Sequence, residues 1–259
     1  MDSVDKKILY FLLKDGRTPQ RQIAKNIGIS AQTLNYRMSK MIEEGIIKEF
    51  GVRVNPSLYG KVEGYAAFVS ENELENGFSL RLRCLEKNKL YGFIGSNEQD
   101  VNKKIDNASK ELGQPVMKYM PRLNPYGGNS KSIDDKIINQ LKKTPRAKLS
   151  EISKEIDVPV IRIKRRYNFL SKTKIISVVT KIDLSKTDVV LFSIFSKSPD
   201  ITGNVLEDAT IIRIADSNSG VFVCFAENMV EARNMINAVR TTEKDSEVMV
   251  IYDYDLLLN

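Results

Sequence analysis

The chain is 259 residues long, 42% hydrophobic, and carries 40 Lys+Arg against 33 Asp+Glu for a net charge of +7, with no histidine. That length suits two or more domains with buried cores. The missing imidazole excludes Ser-His and Cys-His catalysis, along with His-ligated zinc or haem. Counted by segment, the net charge is +4 over residues 1–60, +1 over 61–128, +9 over 129–186 and −7 over 187–259. Basic blocks suited to a polyanion therefore alternate with a neutral and an acidic one.

The first residues run straight into a helix pattern, without the basic and apolar stretches of a secretory signal. Ser3 is placed to cap a helix reaching about Lys14, with Val4, Ile8, Phe11 and Leu12 on one face. Thr18-Pro19 reads as an N-cap and a proline at the first position of a second helix, which buries Ile23, Ala24 and Ile27. Gly28-Ile29 predicts a tight turn, and Ser30 caps a third helix that ends near Glu44 with Gly45 behind it. Residues 46–50 and 52–54 then read as the two short strands of a wing. This is the plan of a winged helix-turn-helix. Further on, strands are expected at 62–70, 78–85 and 90–95, a helix at 101–112 and a last strand at 115–122. The gap between the first two strands is too short for a crossover helix. Residues 124–130, rich in turn formers, read as a linker.

An offset of 129 then maps Asp5 onto Asp134, Ile8 onto Ile137, Leu12 onto Leu141, Ile23 onto Ile152, Leu34 onto Ile163, Arg37 onto Arg166 and Met41 onto Leu170, without a gap. The reading is a tandem duplication. Its second copy predicts helices at 132–143, 148–156 and 159–172 and a strand at 175–182, with Asp157 where the first copy has Gly28. Residues 189–255 follow as strand, helix, two strands, helix, strand, which is ferredoxin-like order. The expected fold class is α+β, with two winged helix-turn-helix domains (1–60 and 129–186) alternating with two ferredoxin-like domains (61–128, trimmed, and 187–259). Cys84 and Cys224 sit in separate apolar stretches and form neither a disulfide framework nor a metal knuckle, so a reducing cytoplasm is the expected location. No membrane span, metal or cofactor is expected.

A helix that enters the major groove needs an apolar stripe for its own domain and a polar, basic face for DNA. In the first third helix Leu34, Met38 and Met41 form the stripe, leaving Gln32, Thr33, Asn35, Tyr36, Arg37 and Lys40 off it. Gln and Asn can pair with adenine, Arg with guanine, and Thr can touch a thymine methyl. Ser30, at the helix N-terminus, is placed to bond a phosphate. In the second third helix the stripe is Ile163, Tyr167 and Leu170, and Arg162, Lys164, Arg165 and Arg166 make a nearly all-cationic face suited to phosphate. The expected division is that the first copy specifies sequence and the second supplies affinity for double-stranded DNA.

The chain at this point resembles the Lrp/AsnC (feast/famine) family of transcription regulators. The residues that carry the resemblance are Asp5-Lys6-Lys7-Ile8-Leu9, Gln22-Ile23-Ala24, Thr33-Leu34-Asn35-Tyr36-Arg37-Met38 and Gly45-Ile46-Ile47, which cover residues 1–60 well. The resemblance implies a sequence-specific regulator whose ferredoxin-like unit at 187–259 senses a small molecule such as an amino acid and dimerises. Gly220 stands where the family's sensing strand begins, but the following Val221-Phe222-Val223-Cys224 lacks the acid that usually comes a few residues later. Two copies in one chain can also imitate a dimer internally, and the apolar run Leu256-Leu257-Leu258 either packs under its own sheet or supports a homodimer. Two other readings compete. Proteins of paired Lrp-like halves include siroheme decarboxylases, which use pocket histidines that this chain lacks. An architectural or RNA-binding adaptor suits the cationic second helix but not the mixed face of the first. The acidic pairs Asp134-Asp135 and Glu43-Glu44 are neighbours that diverge on a helix, so they read as cap and surface residues.

Overall fold

A computed structural model of the chain describes residues 1–121, 130–244 and 246–256. The expected linker, apart from Ser130, and two of the three C-terminal leucines lie outside these residues. The first half contains α1 (Ser3–Lys14), α2 (Gln20–Ile27), α3 (Ala31–Glu43), β1 (Ile47–Val54), β2 (Val62–Val69), β3 (Leu80–Cys84), β4 (Asn88–Gly95), α4 (Glu98–Leu112) and β5 (Met117–Tyr119). The second half contains α5 (Ser132–Lys143), α6 (Leu149–Glu155), α7 (Val160–Lys172), β6 (Ile176–Ile182), β7 (Val190–Ser196), α8 (Pro199–Val205), β8 (Thr210–Ala215), β9 (Gly220–Ala226), α9 (Met229–Arg240) and β10 (Glu247–Leu256).

The four sequential segments assemble into two compact units, like with like. Residues 7–61 join 125–182, while residues 1–6, 62–124 and 183–257 form the other unit. Both basic blocks therefore fall in one unit, which holds both winged helices.

Within the winged-helix unit each copy packs three helices on an apolar core. Ile8, Leu9, Leu12, Ile23, Leu34 and Met41 are buried in the first copy. Ile137, Ile138, Leu141, Ile152, Ile163 and Leu170 cluster in the second. The expected two-stranded wing is corrected. Each copy supplies a single strand, and β1 pairs antiparallel with β6. A lone strand leaves both rows of backbone groups unpaired, and here the counterpart strand of the other copy takes one of them. The register centres on Phe50↔Thr180 and Gly51↔Val179. At the 129-residue offset Val179 is the counterpart of Phe50 and Thr180 of Gly51, so the ladder straddles a pseudo-twofold axis.

Side chains repeat that reciprocity. Arg17 Nη1 donates to the Pro145 carbonyl at 3.0 Å, and Arg146 Nη1 donates to the Gly16 carbonyl at 2.5 Å. Arg17 lies over the Tyr167 ring and Arg146 over the Phe50 ring, each at 4.8 Å. Arg17 and Arg146 are themselves counterparts at that offset. Burial, together with the nearby Arg17 charge, lowers the Arg146 pKa.

The α+β unit is one eight-stranded sheet in the order β5-β2-β4-β3-β10-β7-β9-β8. Each copy contributes four strands in the order fourth, first, third, second, as the ferredoxin-like reading expects. The first copy is trimmed as anticipated: no helix joins β2 to β3. Instead the connection buries Leu74 and Phe78, and the Leu74 N–H donates to Tyr91 Oη at 3.2 Å. The copies join through unlike edges, the second strand of one (β3) against the last of the other (β10). Arg81 and Arg83 clasp this junction to Asp255 at 2.5 and 2.9 Å and to Glu73 at 3.0 Å. Leu256 pairs with Leu80 in its own sheet. Tyr119 donates from Oη to the Ser219 carbonyl at 2.9 Å and meets Phe195 edge-on, so strands far apart in the sheet order come together.

Smaller corrections concern the caps. Ser3 lies inside α1, and Asp2 accepts the Asp5 N–H at 2.9 Å in its place. Thr18 does not cap α2; its hydroxyl donates to the Asp15 carbonyl. The last strand of the first α+β copy shrinks to Met117–Tyr119.

Candidate nucleic-acid interface

The first interface grows from the turn between α2 and α3. Gly28 adopts φ 74°, a left-handed conformation that costs a side-chain-bearing residue free energy, and this lets α3 leave α2 sharply. Ser30 caps α3 by accepting the Thr33 N–H at 3.0 Å, and its hydroxyl also shares a hydrogen bond with Thr33 Oγ1 at 2.8 Å. The cap and the Thr33 hydroxyl thus hold each other at the helix tip. Leu34, Met38 and Met41 are buried, which turns Gln32, Thr33, Asn35, Tyr36 and Lys40 to solvent. Tyr36 is 69% exposed. Arg37 is half-buried and already engaged in an interaction of its own. Lys40 stands 3.8 Å from Glu44, one helical turn on. A capped helix behind a tight turn, with amide and hydroxyl groups outward, has the build of a base-reading helix.

The winged helix-turn-helix DNA-binding family matches residues 1–48. The regulatory protein AsnC of Haemophilus influenzae is 52% identical over 48 residues, 18% of this chain and 32% of that protein. The HTH-type transcriptional regulator LrpA of Pyrococcus horikoshii is 43% identical over 60 residues, 23% of this chain and 43% of its own length. Residues 1–48 match a winged helix-turn-helix DNA-binding domain, and the likeness to AsnC and LrpA is confined to stretches of 48 and 60 residues. This chain spans about two fifths of the length of the first relatives it matches, 38% and 40%. Among solved structures, the siroheme decarboxylase NirDL aligns over 97% of this chain and 92% of its own, at 13% identity and a TM-score of 0.46. LrpC of B. subtilis aligns over 48% of this chain and 96% of its own, at 19% identity and a TM-score of 0.35.

The third helix of the second copy, α7, repeats the backbone of α3 on different side chains. Asp157 takes the place of Gly28 at φ 51°, and Lys174 the place of Gly45 at φ 57°. Pro159 precedes α7 without a side-chain cap. Arg162, Lys164 and Arg165 are exposed as expected. Arg166 is not. Its side chain is 15% exposed, and the guanidinium forms a fork onto Asp134, with Nη2 at 2.6 Å from Oδ2 and Nε on Oδ1. Asp134 is fully buried, at 0% exposure, so the expectation of a surface acid is corrected too. Its Oδ2 also accepts the Lys131 N–H at 3.0 Å, which is the cap half of that expectation. A buried carboxylate is costly without a cationic partner, and Arg166 supplies one at the expense of the outer face.

The neighbouring Asp135 accepts from Tyr59 Oη at 3.0 Å and from Ser130. Burial and that carboxylate push the Tyr59 phenol up to about 12. Composition also hid one property of α7. Val160 and Ile161, at its N-terminal end, are 48% and 71% exposed, so the face is cationic around an apolar tip. Reading the exposed positions in register with α3 would have found it, since Ile161 stands where α3 has Gln32. The same register pairs Arg17 with Arg146, a reciprocity missed because both lie outside the helices.

In the α+β unit Gly220 opens β9, where an added Cβ would sit 2.7 Å from the Ala215 side chain, and the strand it opens is buried throughout. Cys84 and Cys224 are free and buried, and burial pushes both thiols up to about 12. Among the described residues no helix is long and apolar enough to cross a membrane.

Proposed function

We propose that the chain is a sequence-specific DNA-binding transcription regulator of Lrp/AsnC type, in which a single polypeptide carries both winged helices of a pseudo-dimer. The observation that carries this reading is the exposed Gln32/Thr33/Asn35/Tyr36 face of the Ser30-capped α3, within a domain that matches a DNA-binding family. In this reading Gln32, Asn35 and Tyr36 meet base edges, Ser30, Thr33, Arg37 and Lys40 support them from the sugar-phosphate side, and Arg162, Lys164 and Arg165 neutralise phosphates along α7. Arg166 leaves the contact set because Asp134 holds it. The chain acts by binding, not by catalysis, in the cytoplasm. The duplication supplies a second DNA-facing helix without a second chain, and a homodimer would double the site again. A small-molecule effector, with an amino acid as first candidate, would act through the 187–259 copy.

The test is fluorescence anisotropy of the full chain against a random-sequence duplex pool and its enriched members across a salt series. The expected result is an enriched motif and a steep salt slope. Salt-dependent binding without enrichment would replace this reading with an architectural or RNA-binding role. No binding at moderate salt would overturn it.

A further inference from the structure

Superposing the copies by their 129-residue offset places Val160 on Ala31, Ile161 on Gln32, Arg162 on Thr33, Lys164 on Asn35 and Arg165 on Tyr36. The first turn of a recognition helix is the part that reaches base edges. In α3 that turn carries an amide and a hydroxyl. In α7 it carries the exposed Pro159-Val160-Ile161, bounded by the exposed Arg162, Lys164 and Arg165. Single exposed apolar residues are ordinary on protein surfaces. Three in succession at a helix tip, with a β-branched side chain 71% exposed and cations beside it, are not accounted for by packing.

Ile161 and Val160 can neither donate nor accept a hydrogen bond, so they cannot read the polar edges of a base pair. The major groove presents one apolar feature, the C5-methyl of thymine. The flanking guanidinium and ammonium groups complement the phosphates on either side of the groove. We infer that α7 reads thymine methyls through Val160 and Ile161, so that the full site is asymmetric, with one half-site recognised by hydrogen bonds from α3 and the other by methyl contacts from α7. This inference rests on the DNA-binding reading above and assigns its second half-site.

The test uses the full chain and an enriched duplex in which thymines are replaced by 2′-deoxyuridine, one half-site at a time. That exchange removes the methyl and leaves the pairing edge unchanged. The half-site of α3 is the one where Gln32→Ala relaxes sequence preference. Uridine in the other half-site is expected to weaken binding about fourfold per contacted methyl, and uridine in the α3 half-site to leave it unchanged. Ile161→Gln, a surface change, is expected to remove one methyl's share of the uridine effect, about fourfold, while keeping the salt slope.

Specific binding that is indifferent to uridine in both half-sites overturns the inference and leaves the regulator reading standing. So does an Ile161→Gln variant with unaltered DNA binding but a smaller sedimentation coefficient, which would make the tip a contact between copies. Absence of any sequence-specific binding removes the regulator reading, and the thymine assignment with it.

Discussion

The two winged helices follow one backbone path with different chemistry at the turns and on the outer faces of their third helices. The first places glycine at both left-handed turns, Gly28 at φ 74° and Gly45 at φ 70°, whereas the second holds Asp157 and Lys174 there. The first caps its third helix with Ser30, and the second enters from Pro159 with no side-chain cap. The first exposes amides and hydroxyls, the second cations around an apolar tip. A core and a pseudo-twofold ladder are thus enough to hold a backbone while its surface diverges. The apolar positions, Ile8/Ile137, Ile23/Ile152 and Leu34/Ile163, kept their character because each is buried.

The largest effect expected from breaking this comparison is at Asp134. Asp134→Asn removes the partner of a largely buried guanidinium, and the cost is expected to be about 3–5 kcal/mol, read by urea unfolding of the full chain. A loss under 1 kcal/mol would mean that Arg166 finds solvent, and that the outer face of α7 regains it.

Next comes the phosphate role proposed for α7. Arg162→Ala with Arg165→Ala is expected to weaken binding to all duplexes alike and to reduce the salt slope by about 2. A changed sequence preference instead would give those arginines base contacts. A smaller effect is expected at the cap that only the first copy has. Ser30→Ala should destabilise by about 1 kcal/mol, measured by thermal unfolding, whereas Pro159→Ala removes no cap hydrogen bond.

The smallest effect sharpens the contrast in the opposite direction. Lys174→Gly relieves a left-handed non-glycine residue and is expected to stabilise by roughly 0.5–1 kcal/mol, with Gly45→Lys destabilising by at least as much.

The joint between the α+β copies titrates in the acid range. Burial disfavours the Asp255 carboxylate, but Arg81 and Arg83 outweigh this and hold its pKa below the ordinary 3.8. A depressed carboxylate pKa contributes stability that is present above 3.8 and lost as pH falls through the lower folded value. Asp255→Asn is therefore expected to flatten the acid limb of a stability-against-pH curve and to leave the neutral limb's slope alone.

Much of the candidate interface was legible in one dimension. Leu34, Met38 and Met41 recur at helical spacing, so their burial and the outward set of Gln32, Thr33, Asn35, Tyr36 and Lys40 follow from periodicity. Arg166 was not legible, because its place off the apolar stripe of α7 says nothing about a buried acid on another helix. The wing misled for a related reason. Two short apolar stretches around Gly51 look like a hairpin locally, and only the presence of a second copy shows that they form one strand with a distant partner.

The sequence by itself determined the α+β class, the repeated winged helix, the trimmed first ferredoxin-like copy and the polar face of α3, all of which rest on local periodicity and a gap-free repeat. Only the tertiary structure decided how copies meet. The wings pair as equals about a pseudo-twofold axis, while the sheets join by unlike edges, β3 to β10. Strand edges carry backbone groups that every residue shares, so nothing in the side-chain pattern names the partner; that choice falls to the packing of the whole chain.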